Sequence, residues 1–472
     1  MSKYHEREVL NAGTLGTYRM HSLFTRISSS GDMDVPEKEM FKNAVALHAH
    51  EYTHYLHNLT TSAGLDALLA CFWLIPHFVR NTDKNGRYTA PKNEEKSDIV
   101  DFAFKLMRSA RGFTEGIPQD KQFKWPRVTA WKFAEPQSES VSVSIGEDFR
   151  RSFSIKTVLV TAISRTASPL EITLSPGLDF ISEGIAYEVE REQCLLSGID
   201  GKDVDSQTPS YPYLAYQPFI DHFVGRPTTP LERITIGNLA LMTPSPSNFI
   251  FELCSALNKD FLNGTKKNYV FNKIGAKIRA AFKAGITKSE LSQVSQIKML
   301  LGGSVDLMQG AELFCSLIDK GLELRSERTS MELLFVERKL TPYMFRSATA
   351  SLLERLVCQE KVEPPHKIQW TGSKDSIVAR SGLELQKLGV LQTAIHYLQQ
   401  HFTNQGALGD TAELLESVCP FEGACPQQNG YKDPDLCKTK PWNVSVGDGK
   451  SQVCWYEAGR LSLRLDRENI GT

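Results

Sequence analysis

The chain contains 472 residues, of which 41% are hydrophobic and 23% are charged. Its formal charge of −1 and its odd count of nine cysteines exclude a globally basic nucleic-acid coat, an acidic tail protein and a secreted disulfide scaffold. The most apolar stretch, 67–79, is interrupted by Pro76 and His77, and the polar N-terminus has no apolar segment typical of a signal peptide. We therefore expect a cytoplasmic protein without a membrane span.

Two helices are predicted after a polar lead-in at 1–33. The run that begins at Asp34 offers an N-cap, a proline in the first turn and an acid three residues after the cap, which predicts a helix over about 36–60. Apolar residues at helical spacing from Gly64 onwards predict a second helix. Proline interrupts helical hydrogen bonding, so we expect this helix to stop at Pro76.

The sequence predicts a strand-rich segment over residues 126–175. Val141, Val143 and Ile145 alternate with serines, and a period of two residues is typical of a strand. The alternation resumes at Phe153 after a short polar turn, which predicts a β-hairpin. Helical periodicity then returns after the strands and continues to about residue 403.

These patterns predict an α+β fold that is predominantly helical. We expect a core at 34–240 that carries the strand-rich segment as an insertion, and an additional helical lobe at 241–403. The last part of the chain, 404–472, is rich in Gly, Pro and Cys and is predicted to be a separate, irregular module.

The first predicted helix contains a HExxH motif, His50-Glu51-Tyr52-Thr53-His54. Residues i and i+4 of a helix lie about 40° apart and one turn along the axis, so both imidazoles can face one metal ion. Glu51 lies about 100° from His50, where its carboxylate can act on a water that the ion activates. The alternative interpretation is an amphipathic helix with two histidines on a half-polar face.

The same helix cannot supply a third histidine ligand. An extended HExxHxxGxxH motif is excluded because His57 stands at the glycine position and Thr60 at the last position. His57 lies about 10 Å along the axis from His50, too far to bind the same ion. We expect it either behind the metal ligands or at a solvated rim.

The best candidate for the third ligand lies in a predicted helix over 178–196. An apolar stripe that begins at Ile181 packs this helix on the core, and Glu183 and Glu190 fall on another side. That side can present Glu183 to a metal, while Glu190 can accept a hydrogen bond from the free N–H of a ligand histidine. The alternative third ligands are Asp66, Asp179 and Glu188.

HEYTH followed by SEGIAYEVER resembles the gluzincin group of zincin metallopeptidases, in which two histidines of HExxH and a glutamate on a later helix bind zinc. The second helix of the aminopeptidase-type members reads close to N-E-G-x-x-x-x-x-E-R. This chain matches it at Glu183, Gly184, Glu190 and Arg191, with Ser182 in place of the asparagine. The resemblance covers two short pieces of the chain and does not identify a family within the group.

The resemblance implies a zincin-like catalytic core in which His50, His54 and Glu183 hold Zn²⁺ and Glu51 is the general base. The HExxH motif and Glu183 are separated by 128 residues, far more than in the aminopeptidase-type members. Gluzincins also use a tyrosine or histidine from a later segment to stabilise the oxyanion. Tyr213 and His222 are the candidates for this role, and we place Tyr213 first.

A second metal site is predicted near the C-terminus, where four cysteines fall within 36 residues. An irregular module with little apolar content needs a brace, and four thiolates on a structural Zn²⁺ or an iron–sulfur cluster would supply one. The alternative is a set of buried or partly buried thiols without metal. The four cysteines are Cys419, Cys425, Cys437 and Cys454.

A basic helix near 270–283 is interpreted as a packed helix with a solvated face, the alternative being a partner or nucleic-acid surface. For the whole chain we predict a zinc metallopeptidase that hydrolyses a peptide bond in a protein or peptide substrate. The alternatives are a zincin-like regulatory or binding module without protease activity, and a small-molecule amide metallohydrolase. The sequence does not determine the oligomeric state.

Overall fold

The computed structural model describes most of the chain between residues 16 and 464. The described residues are 16–18, 24–27, 31, 33, 38, 40–91, 97–118, 123–145, 149–264, 268–287, 293–301, 304–353, 356–360, 368–371, 382–403, 406–422, 433, 435–444 and 454–464. Within them the fold is α+β and predominantly helical, as predicted.

Helix α1 (Ala44–Thr60) is the central helix of the fold, and all of its residues except His54 are buried. It begins at Ala44 and not near residue 36, and Asn43 stands at the N-cap position without a side-chain capping hydrogen bond. Phe41, two residues before the cap, is 61% exposed and so does not anchor an earlier helical turn on the core. The proposed cap at Asp34 lies outside the described residues.

Helix α2 (Ser62–Arg80) continues through Pro76, so the predicted end at this proline is wrong. Proline removes a backbone hydrogen bond, but Ile75 and Phe78 on either side of it are buried in the core, and this burial outweighs the loss. In the described part of the chain, α2 is the one helix long and apolar enough to cross a membrane. Of its most apolar window, 78% is buried inside the protein, as in a core helix.

Helix α3 (Asp98–Arg111) leads into an antiparallel sheet. Its strands are β3 (Phe113–Glu115), β4 (Val128–Phe133), β5 (Gln137–Ile145), β6 (Phe149–Ser164) and β7 (Leu170–Ser175). The order is β3-β7-β6-β4, and β5 pairs with the other half of β6. Val141 pairs with Phe153 and Ile145 with Phe149, which confirms the predicted hairpin.

A long helical region follows the sheet. Its helices are α4 (Leu178–Leu196), α5 (Gly201–Gln207), α6 (Tyr213–Val224), α7 (Pro230–Leu241), α8 (Pro246–Leu262), α9 (Tyr269–Thr287), α10 (Gln293–Leu301), α11 (Val305–Glu327) and α12 (Pro342–Ser351), with a 3₁₀ turn at Met331–Phe335 between the last two. Helix α9 buries Phe271, Ile278 and Phe282 and exposes Lys273 and Lys277, which fits a packed helix with a solvated basic face.

The remaining strands and helices pack onto the same core. Strands β1 (Gly16–Tyr18), β2 (Phe24–Ile27), β8 (Leu356–Glu360) and β9 (Ile368–Thr371) form a second sheet, and helices α13 (Gly382–Gln400), α14 (Leu436–Thr439) and α15 (Trp455–Leu461) end the described chain. One hydrophobic cluster includes Met33, Trp442 and Leu463, so the described residues of the C-terminal segment share the core of the rest. The division into domains stays a prediction.

Candidate metal centre

Helices α1 and α4 pack against each other and bring the HExxH motif to Glu183. The Nε2 atoms of His50 and His54 lie 3.2 Å apart. The Oε2 atom of Glu183 lies 3.7 Å from the Nε2 of His50 and 3.3 Å from that of His54. Ligands about 2 Å from a tetrahedral ion lie about 3.3 Å from one another. The three atoms are therefore spaced as if around a single small cation.

The Glu183 carboxylate supports this interpretation. Its Oε2 atom is buried and has no hydrogen-bond partner within the described structure, although the side chain as a whole is 32% exposed. A buried carboxylate oxygen without a hydrogen bond is costly, and a cation between Glu183 and the two imidazoles would satisfy it. Among the described residues, this is the one group of three His, Cys, Asp or Glu side chains close enough to share an ion.

The outer nitrogens of both histidines are also held. Glu190 lies 2.8 Å from the Nδ1 of His50 through its Oε2 atom, which is the contact predicted from the sequence. The hydroxyl of Ser182 lies 2.8 Å from the Nδ1 of His54. When Nδ1–H donates to these oxygens, each Nε2 keeps its lone pair for a metal. The contact between Ser182 and His54 was not predicted from the sequence.

The charges of the group are complementary without a metal. Burial disfavours the charged imidazole, but the neighbouring carboxylates of Glu183 and Glu190 raise the pKa of His50 well above its usual range. Burial disfavours the carboxylate too, yet the charges of His54 and His50 hold the pKa of Glu183 well below its usual range. The site therefore keeps an ionised carboxylate beside groups that supply positive charge. A divalent cation can supply that positive charge in their place.

Gly184, which follows the candidate ligand Glu183, lets another helix approach. A Cβ at Gly184 would overlap the ring of Tyr216 in α6, so only glycine permits this packing of α6 on α4. The same approach places the N-terminus of α6, and with it Tyr213, next to the candidate metal ligands. Packing therefore explains the glycine in the Glu183-Gly184 pair of the sequence.

Two candidate catalytic side chains lie beside the three ligands. Glu51 is buried, and its charge acts on both His50 and Tyr213. The ring of Tyr213 lies 5.9 Å from that of His50. The charge of Glu183 together with burial raises the pKa of Tyr213 well above its ordinary value, so its hydroxyl stays protonated and can donate. His222, the other oxyanion candidate, lies at the far end of α6 against Phe133 and Phe223.

The alternative third ligands have other positions. Asp179 forms an ion pair with Arg111 at 2.9 Å. Glu188 forms a buried ion pair with Arg233 at 2.6 Å, on another side of α4. Asp66 is buried in α2 and is not part of the three-residue group. Of the weighed acids, Glu183 is the one that the fold brings to the two histidines.

His57 is fully buried, so the expectation of a solvated rim position is wrong. Its Nδ1 atom lies 2.9 Å from the hydroxyl of Ser182, the same hydroxyl that contacts His54. The position behind the ligands, the other expectation for this residue, is the one that the structure shows. The sequence contained no signal for its partner Ser182, because a serine in a helix is common.

Of the three described C-terminal cysteines, Cys419 and Cys437 are neighbours in the fold. The backbone N–H of Cys419 donates to the carbonyl of Cys437 at 2.7 Å, and Cys454 precedes α15. All three side chains are buried in the hydrophobic core. Cys425 lies outside the described residues, so the structural metal remains a prediction.

Comparison with family models, with curated proteins and with solved structures found no match for this chain. The function is therefore inferred from the geometry of the site and from the chemistry of its residues.

Proposed function

We propose that this protein is a zinc-dependent metallopeptidase whose ligands are His50, His54 and Glu183. The observation that carries the proposal is the convergence of three ligand atoms 3.2–3.7 Å apart from two helices that are distant in sequence. The donor set of two imidazoles and one carboxylate is typical of catalytic zinc, and it would leave a fourth position for water or substrate. The resemblance to gluzincins supports zinc over other divalent metals.

The residues around the ligands have the chemistry that peptide hydrolysis needs. When bound, zinc would lower the pKa of water and polarise the scissile carbonyl. Glu51 takes the proton from the attacking water on its carboxylate and later passes it to the leaving amine. The hydroxyl of Tyr213 donates a hydrogen bond to the oxyanion that forms in the transition state. Glu190 and Ser182 orient the two imidazoles through their Nδ1 atoms.

The first test is the metal content of the protein and its loss in one ligand variant. We expect one zinc ion per chain at this site, lost in His50→Ala together with hydrolysis of a proteome-derived peptide library, because two remaining ligands hold zinc too weakly. Elemental analysis measures the metal, and mass spectrometry of the library measures cleavage. His222→Ala is the matched control for metal content, since His222 is an exposed histidine away from the ligands.

The outcomes separate the classes of function. A zinc content of His50→Ala equal to that of the wild-type protein contradicts the metal site. Suppose instead that His50→Ala loses the zinc but the wild-type protein cleaves no peptide. This result contradicts the peptidase assignment and favours a binding module or a small-amide hydrolase.

The cytoplasmic location is part of the same proposal, and fractionation of cells that express the full chain measures it.

The second test concerns the oxyanion. Tyr213→Phe removes only the hydroxyl, and we expect it to lower kcat by roughly 10²–10³-fold, the effect of losing one oxyanion donor. Zinc content should remain that of the wild-type protein, because Tyr213 is not a ligand in this proposal. Steady-state kinetics on a peptide identified in the library measures the change. A kcat within a few-fold of the wild-type value contradicts the assigned role of Tyr213.

A further inference from the structure

A chain of buried polar groups continues from His54 into the helical region. The hydroxyl of Ser182 lies 2.8 Å from the Nδ1 of His54 and 2.9 Å from the Nδ1 of His57, so it bridges the two rings. The Nε2 of His57 lies 3.1 Å from the Oδ1 of Asn238 and 3.3 Å from the Oε1 of Glu332. We name Ser182, His57, Asn238, Glu332 and Arg325 the His57 chain.

The far end of the His57 chain fixes the direction of its hydrogen bonds. Glu332 accepts from Arg325 at 2.7 Å, and both side chains are fully buried. Asn238 donates through its Nδ2 to Glu332 at 2.8 Å, which leaves its Oδ1 as an acceptor. Both atoms that face the Nε2 of His57 are therefore acceptors. That nitrogen must carry a proton and donate it.

The direction of the next bond follows from this one. A neutral imidazole with a proton on Nε2 has a lone pair on Nδ1, so the hydroxyl of Ser182 donates to His57. Its oxygen can then accept from the Nδ1–H of His54. Burial lowers the pKa of His57, which outweighs the charge of Glu332 and agrees with a neutral ring. The positive charge of Arg325 acts in the same direction as burial.

We propose that the His57 chain fixes the tautomer of a metal ligand, and we call this arrangement a tautomer lock. Through His57 and Ser182, the buried Arg325–Glu332 pair holds the proton of His54 on Nδ1. The lone pair of the Nε2 of His54 then remains available to the ion. The proposal rests on the zinc site proposed above. Ser182 and His57 are positioning residues in this arrangement, because they touch a ligand or its neighbour and not the reacting atoms. The lock reaches the site from α7 and from the end of α11.

The test measures ring protonation directly. In the full chain labelled with ¹⁵N-histidine, long-range ¹H–¹⁵N correlation spectra distinguish protonated from unprotonated ring nitrogens. We expect His57 to carry its proton on Nε2 in both the metal-free and the zinc-loaded protein, with His57→Gln assigning the signals. Ser182→Ala should leave the proton of His57 on Nε2, because Asn238 and Glu332 still face that nitrogen as acceptors, and should weaken zinc binding by roughly 10–100-fold in competition with a chelator of known affinity.

A second serine provides the control. Ser109 in α3 is also buried, and its hydroxyl has no hydrogen-bond partner within the described structure, so Ser109→Ala removes a buried hydroxyl without breaking a chain. Its zinc affinity and the spectrum of His57 should match the wild type. If Ser182→Ala does not fold, the wild-type spectrum alone decides.

Three results would each be decisive. A proton on the Nδ1 of His57 in the wild-type protein overturns the tautomer lock. Equal zinc affinity of Ser182→Ala and the wild type overturns it too. A wild-type protein that binds no zinc, but in which His57 carries its proton on Nε2 alone, overturns the proposed function and supports the assigned direction of the hydrogen bonds.

Discussion

Replacing Glu51 with glutamine is expected to lower kcat for peptide hydrolysis by roughly 10²–10⁴-fold, the usual contribution of a general base. Glutamine keeps the shape of the side chain but cannot take a proton. Zinc content should remain that of the wild-type protein, because Glu51 lies beside the ligands without belonging to the three-residue group. This combination of retained metal and lost turnover distinguishes a base from a ligand.

The measurement needs kinetics and metal analysis on the same preparation. Glu312→Gln is the matched control, since Glu312 is an exposed glutamate on α11 and the change removes the same charge. It should leave both kcat and zinc content unchanged. Loss of zinc from Glu51→Gln would make Glu51 a ligand, and unchanged turnover would remove it from the mechanism. Either result contradicts the mechanism proposed for this site.

The local parts of the site were predictable from the sequence, because each depends on helical spacing. The two imidazoles of HExxH share a face by geometry alone, and the helix that carries Glu183 has the predicted bounds of 178–196. The choice of Glu183 over Asp179 and Glu188 came from the same local pattern. The structure places Glu183 with the two histidines and gives the other two acids their own arginine partners.

The contacts that hold the ligands were less predictable, since their partners are distant in sequence. Ser182 contacts His54 across 128 residues, and Glu332 lies 275 residues from the ring of His57. No periodicity marks such pairs, and a serine or a glutamate in a helix is ordinary. Pro76 shows a second limit of prediction from sequence. The packing of α2 against its neighbours outweighs the local tendency of proline to end a helix.

Glu332→Ala is expected to lower the free energy of unfolding of the metal-free protein by about 3–5 kcal/mol. The variant leaves Arg325, which is fully buried, without its carboxylate. It also leaves the Nδ2 of Asn238 without its acceptor. Single domains are typically stable by about 5–15 kcal/mol, so this loss is a large part of the total. Urea denaturation followed by circular dichroism measures it.

The surface pair Lys105–Asp101 shows why burial and not distance decides this effect. Its N···O distance of 2.8 Å is close to the 2.7 Å of the Arg325–Glu332 pair, but both of its side chains are 36% exposed. Water can solvate either partner when the other is removed, so Lys105→Ala should cost only about 0.3–0.5 kcal/mol. Equal costs for the two variants would mean that water reaches the Arg325–Glu332 pair. The double variant Arg325→Met/Glu332→Leu removes the buried charge altogether, and it should recover part of the stability that Glu332→Ala loses.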